Sequence, residues 1–566
     1  MHNQVSRHFV TIDGRWGPRQ VHYRRAGAGP AVLLLHQSPQ SSREMVDLMR
    51  RWALHFTLIA PDTPGYGSSD PLGPAIVPIA DFAAATLEFA DAIGIRRFGV
   101  YGYHTGASVG AWLAAANAER VSALAANGLV QLTDAERSNI LGKYLPPLVP
   151  SWDGSHLAWL WARVREQTVF FPWHERSAAT RMDFDMPEPN RLHASLMEFL
   201  RAGDHYAVAY RAAFESQPET ILPALRVPLL VTAAHGDPLQ EHFARYQNLP
   251  PAARIEAAGS GADALERSLQ HLLAHRGDDA PAPVATRPIP GRLWNCMVHT
   301  PDGEARVRMD LSGRGEPLLL LHDAGQSSAM LTALAAPLIG TRPLLAPDLP
   351  GHGASEAADG AGMATVHTCA EAAGAILGRL GLREVAALGQ GAGACIALVL
   401  ARQSSLMRPR LALTDLPWLA AEARVAFLRH GLPAIEPQWH GGHLQLAWHL
   451  LRDSRLFFPW FERSRRAARP GTPDLDERRL HLELCDLLGA AGHWQSLTAD
   501  ALEFPLIEAL RQSPAAILLG ATAGSPWYEA TREAAAATGR ELVDLPIDAA
   551  ARLPALVAAV QRLNLS

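Results

Sequence analysis

Two tandem α/β domains, each a doubly wound, mostly parallel sheet carrying a helical lid, are the fold class this sequence predicts. Three observations carry that reading. Short apolar runs alternate with helix-length segments, the pattern of a parallel sheet covered on both faces. A length of 566 residues is too great for one compact domain and suits two. Most telling, the chain contains itself twice.

Leu33-Leu34-Leu35-His36 returns as Leu319-Leu320-Leu321-His322, and Ala60-Pro61-Asp62-Thr63-Pro64-Gly65 returns as Ala346-Pro347-Asp348-Leu349-Pro350-Gly351. Gly102 and Gly106 return as Gly389 and Gly393, and Phe170-Phe171-Pro172-Trp173 as Phe457-Phe458-Pro459-Trp460. The offset stays at 286 or 287 residues over these matches, so each half is a copy of one unit. The boundaries that follow are residues 1–276 for the first domain and 292–566 for the second. Residues 277–291, rich in Ala and Pro, read as a semi-extended linker.

In the first copy a polar, hairpin-like N-terminal stretch precedes a buried strand, 31–35, and a helix, 42–52. A strand at 57–60 ends in Pro61-Asp62 and a Gly-rich turn, and a helix follows over 79–93. The run 98–101 meets a Gly-x-x-x-Gly turn and then a small-residue helix, 107–116. A strand at 123–130 leads to a helical insertion, about 132–222 (about 419–505 in the second copy). Strands at 228–232 and 254–257 and a last helix close the unit. The insertion is expected over the carboxyl ends of the strands, where open α/β sheets bind ligands.

Composition sets the outer limits. An apolar content of 48% and a net charge of -5 describe an ordinary globular chain with no case for nucleic acid or an anionic membrane. Lys143 is the only lysine, so no phosphate-binding Gly-Lys-Ser/Thr loop is present. The four cysteines lack Cys-x-x-Cys spacing, and the lid histidines lack His-x-x-x-His spacing, so neither a metal nor a disulfide framework is expected. The polar N-terminus and the absence of a long apolar run point to a cytoplasmic, bacterial protein.

The strand, the turn Gly102-Tyr103-His104-Thr105-Gly106 and the helix after it form a nucleophile elbow. With the His36-x-x-Pro39 loop and the Asp62-x-Pro64-Gly65-x-Gly67 turn, both halves resemble the α/β-hydrolase fold, in its cap-bearing branch of esterases, haloalkane dehalogenases, epoxide hydrolases and carbon–carbon bond hydrolases. The resemblance covers nearly the whole chain, twice. It implies a nucleophile at the elbow, an acid after a late strand, a His after the last strand, and no cofactor. It does not fix the reaction, because this fold hosts many.

The triads of both halves depart from that pattern. In the first, the elbow centre is His104 rather than Ser, the acid position matches Asp237, and Gly261-Ala262 stands where a Gly-His is expected. In the second, the elbow centre is Gly391, the late loop 520–526 has no carboxylate, and the last loop 545–549 has no His, so this half reads as catalytically dead. A His–Asp dyad acting as general base on water or a substrate proton is the leading expectation, with direct attack by His104 second. The resemblance further implies an oxyanion hole from the backbone N–H groups of Thr105 and of Gln37 or Ser38. The alternative is a non-catalytic ligand-binding or scaffold protein built from two degenerate units. Residual hydrolysis through Thr105 or Ser38 is a third possibility.

Candidate substrate contacts are His36, Tyr103, Asp153, His156, Trp173 and His174. Lid positions that persist in both halves, among them Trp161, His193 and His205, point to a structural duty; those that differ, notably Asp153 and His174, are the better contacts. The expected partner is a small molecule. The two halves are expected to pair as an intramolecular pseudo-dimer, with further homo-oligomerisation possible.

Overall fold

The computed structural model describes residues 4–300, 303–357, 362–403 and 410–562. The chain divides into two compact units, one of residues 1–149 and 156–287, the other of residues 150–155 and 288–566.

The first unit is an eight-stranded sheet in the order β1-β2-β4-β3-β5-β6-β7-β8. Strands β1 (Ser6–Gly14) and β2 (Gly17–Ala26) form the antiparallel hairpin that the polar N-terminal stretch suggests. Strands β3 (Ala31–Leu35), β4 (Thr57–Pro61), β5 (Phe98–Tyr103), β6 (Val121–Asn127), β7 (Leu229–Ala234) and β8 (Ala253–Ala258) run parallel. Every residue of β3, β4 and β6 is buried. That is why these strands read as unbroken apolar runs: helices cover both faces of a parallel sheet. The covering helices are α1 (Val46–Trp52), α2 (Ile79–Ala92) and α3 (Thr105–Ala116). Residues 42–45 ahead of α1 form a 3-10 turn, so the helix expected there starts four residues late.

Between β6 and β7 the insertion folds as α4 (Asp134–Lys143), α5 (Ser155–Glu166), α6 (Pro189–Ala202) and α7 (Tyr206–Glu215). Helix α8 (Gly261–Ala274) closes the unit. Residues 278–286 lie along this unit: the Asp278 N–H donates to the Arg97 carbonyl at 2.7 Å, and the Thr286 hydroxyl to the Phe9 carbonyl at 2.8 Å.

The second unit has strands β9 (Trp294–Thr300), β10 (Gly303–Asp310), β11 (Leu318–Leu321), β12 (Leu344–Pro347), β13 (Ala386–Gln390), β14 (Arg410–Thr414), β15 (Ala516–Thr522) and β16 (Glu541–Leu545) in the corresponding order, β9-β10-β12-β11-β13-β14-β15-β16. Its lid holds helices 421–430, 442–456, 477–489 and 493–503. Among the described residues no helix is long and apolar enough to cross a membrane.

The repeated Asp62 and Asp348 explain one shared motif. Asp62 is buried at the end of β4 and accepts bonds from His22 Nδ1 (2.9 Å) and from the N–H groups of Ser42 (2.7 Å) and Ser68 (2.8 Å). Burial alone would raise its carboxyl, but His22 and these donors hold it well below the usual carboxylate range. Asp348 does the same with Arg306, Ser328 and Ala354. The motif is a buried clamp on the loop after β4, present whether or not a unit carries catalytic groups.

Trp173 and Trp460 are a second shared clamp. Trp173 Nε1 donates to the Tyr144 carbonyl at 3.1 Å, and Trp460 Nε1 to the Gly431 carbonyl at 3.0 Å. Both indoles are buried. Trp173→Phe keeps most of the apolar area but leaves the Tyr144 carbonyl only the longer bond from Arg163 Nη2 at 3.5 Å, at a cost of about 0.5–1.5 kcal/mol. The expected result is a melting temperature lower by about 1–6 °C, measured by circular dichroism.

Candidate active site

The turn from β5 into α3 is backbone-strained at its centre. His104 has φ 48° and ψ −107°, a region that residues other than Gly seldom enter. It is pinned there by its N–H to the Asn127 carbonyl (2.9 Å) and by its own carbonyl, which accepts from Ala107 (2.9 Å) and Ser108 (3.1 Å). The turn is sterically possible because Gly106 has no side chain: a Cβ would lie 2.0 Å from the Leu35 carbonyl oxygen. The result aims one side chain, and it is an imidazole.

That ring reaches the acid. His104 Nε2 lies 2.9 Å from Asp237 Oδ2. Asp237 stands just past β7, 7% exposed at its side chain, and its other oxygen, Oδ1, accepts from the Leu239 N–H at 2.9 Å. The carboxylate is therefore held by backbone on one side and offers its other oxygen to the ring. With Nε2–H donated to Asp237, the lone pair of His104 resides on Nδ1. The imidazole is 27% exposed, so solvent reaches the ring. Burial pushes its pKa down, but Asp237 and, more weakly, Glu44 overcome this and raise it above the ordinary value. Asp237 is lowered: burial opposes ionisation, and His104 outweighs it. Tyr103 packs beside the ring, centroids 4.2 Å apart.

The third position of a triad holds no imidazole. Residues 259–263 are Gly-Ser-Gly-Ala-Asp, and Ser260 is the N-cap of α8, its hydroxyl accepting from the Asp263 N–H at 3.2 Å. The ring of His104 instead bridges directly from elbow to acid. Gly128, at the end of β6, makes room for it. A Cβ there would lie 2.2 Å from His104 Cδ2, and φ at Gly128 is +68°. Gly128→Ala is expected to displace the ring and reduce turnover about 10²-fold or more, at a backbone cost of about 1–2 kcal/mol. Steady-state kinetics beside a thermal melt would separate the two effects.

Several sequence expectations need correction. Gln37 is not an oxyanion donor: its N–H donates to Glu44 Oε2 at 3.2 Å. The donor pair left by the fold is Ser38 N–H, now 3.3 Å from Thr105 Oγ1, and the N–H of Thr105, which as the first residue of α3 has no intrahelical acceptor. His36 has no ring nitrogen left to offer a substrate. It is buried, with Nδ1 2.9 Å from the Gln37 carbonyl and Nε2 accepting from the Thr63 N–H at 2.9 Å, and both ring nitrogens are spent. His322 makes the same pair of bonds in the second unit. Trp173 is the lid clamp described above, and His174 lies against the rings of Tyr144 and Trp173 with its side chain 8% exposed. Asp153 is exposed and capped onto Ser151 and the Ser155 N–H. It falls in the segment 150–155 that groups with the second unit. His156 is buried in the first turn of α5. Of the expected substrate contacts, the structure places Tyr103 alone beside His104.

Glu44 and Gly128 escaped the sequence reading. Glu44, in the 3-10 turn before α1, accepts from Gln37 at both oxygens, and burial pushes its carboxyl up to about 7. Nothing in its spacing distinguishes it from a solvated helix-start acid. Gly128 did leave a signal, an isolated Gly inside an apparent strand, which marks a break or close approach.

Residues 30–265 match the family model described as alpha/beta hydrolase fold. A soluble epoxide hydrolase of Corynebacterium sp. (strain C12) is 32% identical over 129 residues, 22% of this chain and 42% of that protein. An uncharacterized hydrolase of Saccharomyces cerevisiae is 29% identical over 135 residues, 24% of this chain and 45% of that protein. The chain thus spans less than half the length of either relative. Among solved structures, a hydrolase from Pseudomonas aeruginosa PA01 is 20% identical, covering 48% of this chain and 98% of its own at a TM-score of 0.37. The family match lies in the first unit, and the second repeats its eight-stranded, mostly parallel sheet in matching strand order, an architecture consistent with two tandem domains of the α/β-hydrolase fold.

Proposed function

We propose that the first unit is a cofactor-independent enzyme acting on a small carbonyl or ester-like molecule, with His104 and Asp237 as a general-base dyad. The observation that carries this reading is the 2.9 Å contact between a strained elbow imidazole and a buried, backbone-anchored carboxylate. His104 Nδ1 takes a proton from water as the water oxygen attacks the carbonyl carbon. The imidazolium is stabilised by Asp237, and the developing oxyanion accepts from Ser38 and Thr105. The same proton then passes to the leaving group, and the carbonyl re-forms. Abstraction of a substrate C–H proton, leading to elimination or carbon–carbon cleavage, uses the same groups.

In the second unit the counterparts of His104 and Asp237 are Gly391 and Ser525, neither an imidazole nor a carboxylate, which favours a non-catalytic, buttressing role for it. The counterpart of Gly128 is Asp415, whose carboxylate accepts from the Ser525 hydroxyl at 2.6 Å. Expressing residues 1–287 alone tests the buttress: a soluble, fully active fragment counts against it.

The test of function is turnover across an ester, lactone, thioester and epoxide panel, the epoxide included because of the relative so named. Turnover that resists serine-directed phosphonates and vanishes in His104→Ala supports the dyad. Tight binding with no turnover by any compound supports the alternative, a binding or scaffold protein. Phosphonate labelling of Thr105 or Ser38 would shift the chemistry to a hydroxyl.

A further inference from the structure

The two units treat one position in opposite ways. The residue after His36 is Gln37, and the residue after His322 is Asp323. In the second unit the Asp323 carboxylate folds back so that Oδ1 accepts from the Ala324 N–H at 2.8 Å and the Ala392 N–H at 2.8 Å. These two amides are the counterparts of Ser38 and Thr105, so a tethered carboxylate fills the second unit's oxyanion hole. Gly391 permits this, since a Cβ there would lie 2.1 Å from Asp323 Cγ. The second unit thus demonstrates that these two N–H groups converge on one oxygen atom.

In the first unit the residue at that position points elsewhere. Gln37 Nε2 donates to Glu44 Oε1, while the Gln37 N–H donates to Glu44 Oε2 at 3.2 Å. Because His104 carries the Cβ that Gly391 lacks, Gln37 could not copy the path of Asp323; the carboxylate grips both ends of a side chain that, one methylene longer, would otherwise be free to turn its amide oxygen onto Ser38 and Thr105 by another rotamer. The second unit has Met330 where Glu44 stands, so no such grip exists there. We propose that Glu44 is a positioning residue that holds Gln37 aside and so keeps the first unit's oxyanion hole open, whereas the second unit's is closed by its own Asp323. This rests on the general-base reading for its use in turnover, but the open or closed state of each hole is separately observable.

An Asp side chain is in effect a tethered acetate, so acetate is the probe. The full-length chain, labelled with 15N-threonine, is titrated with acetate while the Thr105 amide is followed by NMR, in wild type, Glu44→Met and Glu44→Gln. Wild type is expected to bind at Thr105. Glu44→Met, which places the second unit's residue at this one position, weakens binding at least 10-fold. Glu44→Gln retains an acceptor for the Gln37 amide and restores most of it. A parallel 15N-alanine label on Asp323→Ala is expected to show acetate arriving at Ala324 and Ala392, where wild type shows none. Glu44→Met titrating like wild type, or wild type failing to bind at Thr105, overturns the proposal. The expected binding pattern with no turnover by any substrate sinks the general-base reading instead and leaves this one standing.

Discussion

His104→Ala is expected to lower turnover by about 10²–10⁴-fold, the ordinary worth of a positioned general base, with the melting temperature little changed or raised. The imidazole is partly exposed and its side chain hydrogen-bonds to Asp237, so its removal opens no large core cavity. His104→Ser is the sharper variant. It restores the residue usual at such an elbow, yet it is not expected to recover activity. A serine there has no triad imidazole to take its proton, because residues 260–262 are Ser, Gly and Ala. A serine variant reaching wild-type rates, or reacting rapidly with a phosphonate, would mean that some other group supplies the base.

Asp237→Asn is expected to cost about as much, near 10²–10⁴-fold, with a different signature. The amide can donate to Nε2 and so favour the tautomer with its lone pair on the wrong nitrogen. The pH profile separates this from simple misfolding. A general base must be neutral, and the pKa of His104 is raised, so wild-type activity should climb with pH along a limb above the ordinary value of about 6.5. Removing the carboxylate removes the main cause of the rise, and the limb should move to lower pH. Stability follows the same pair. A raised histidine stabilises the fold fully below its unfolded value, and the gain is lost as pH rises through its folded value. A lowered aspartate contributes above its unfolded value, and the gain is lost as pH falls through its folded one. The stability deficit of Asp237→Asn should therefore be largest between about pH 4 and 6.5, and shrink outside that window. A deficit independent of pH in chemical denaturation would show that the pair is not ionised as described.

Much of this was legible in the sequence for identifiable reasons. Strands such as β3 and β4 are buried on both faces, so selection for burial writes itself as an unbroken apolar run. The elbow was legible because its glycines are sterically compelled. His104 and Asp237, 133 residues apart, could be paired through the resemblance, which puts an elbow residue and a late-strand acid together; in the structure they meet past the carboxyl ends of β5 and β7. What stayed hidden is direction. Which way the Gln37 N–H points depends on a carboxylate seven residues on, and a lone Glu in a helix-start context gives no sign of being buried. His36 and Trp173 misled because His and Trp near a candidate site invite a functional reading. Their recurrence as His322 and Trp460, in the half without a dyad, was the clue that they clamp loops.

The dihedral angles at position 104 set the two units apart. The second unit holds Gly391 at φ 56°, a geometry glycine adopts without penalty, while His104 occupies φ 48° at a standing conformational expense. Glycine at position 104 would shed that expense and, with it, the ring that meets Asp237. The turn of the first unit is thus a compromise in which backbone comfort is surrendered to keep one aimed side chain.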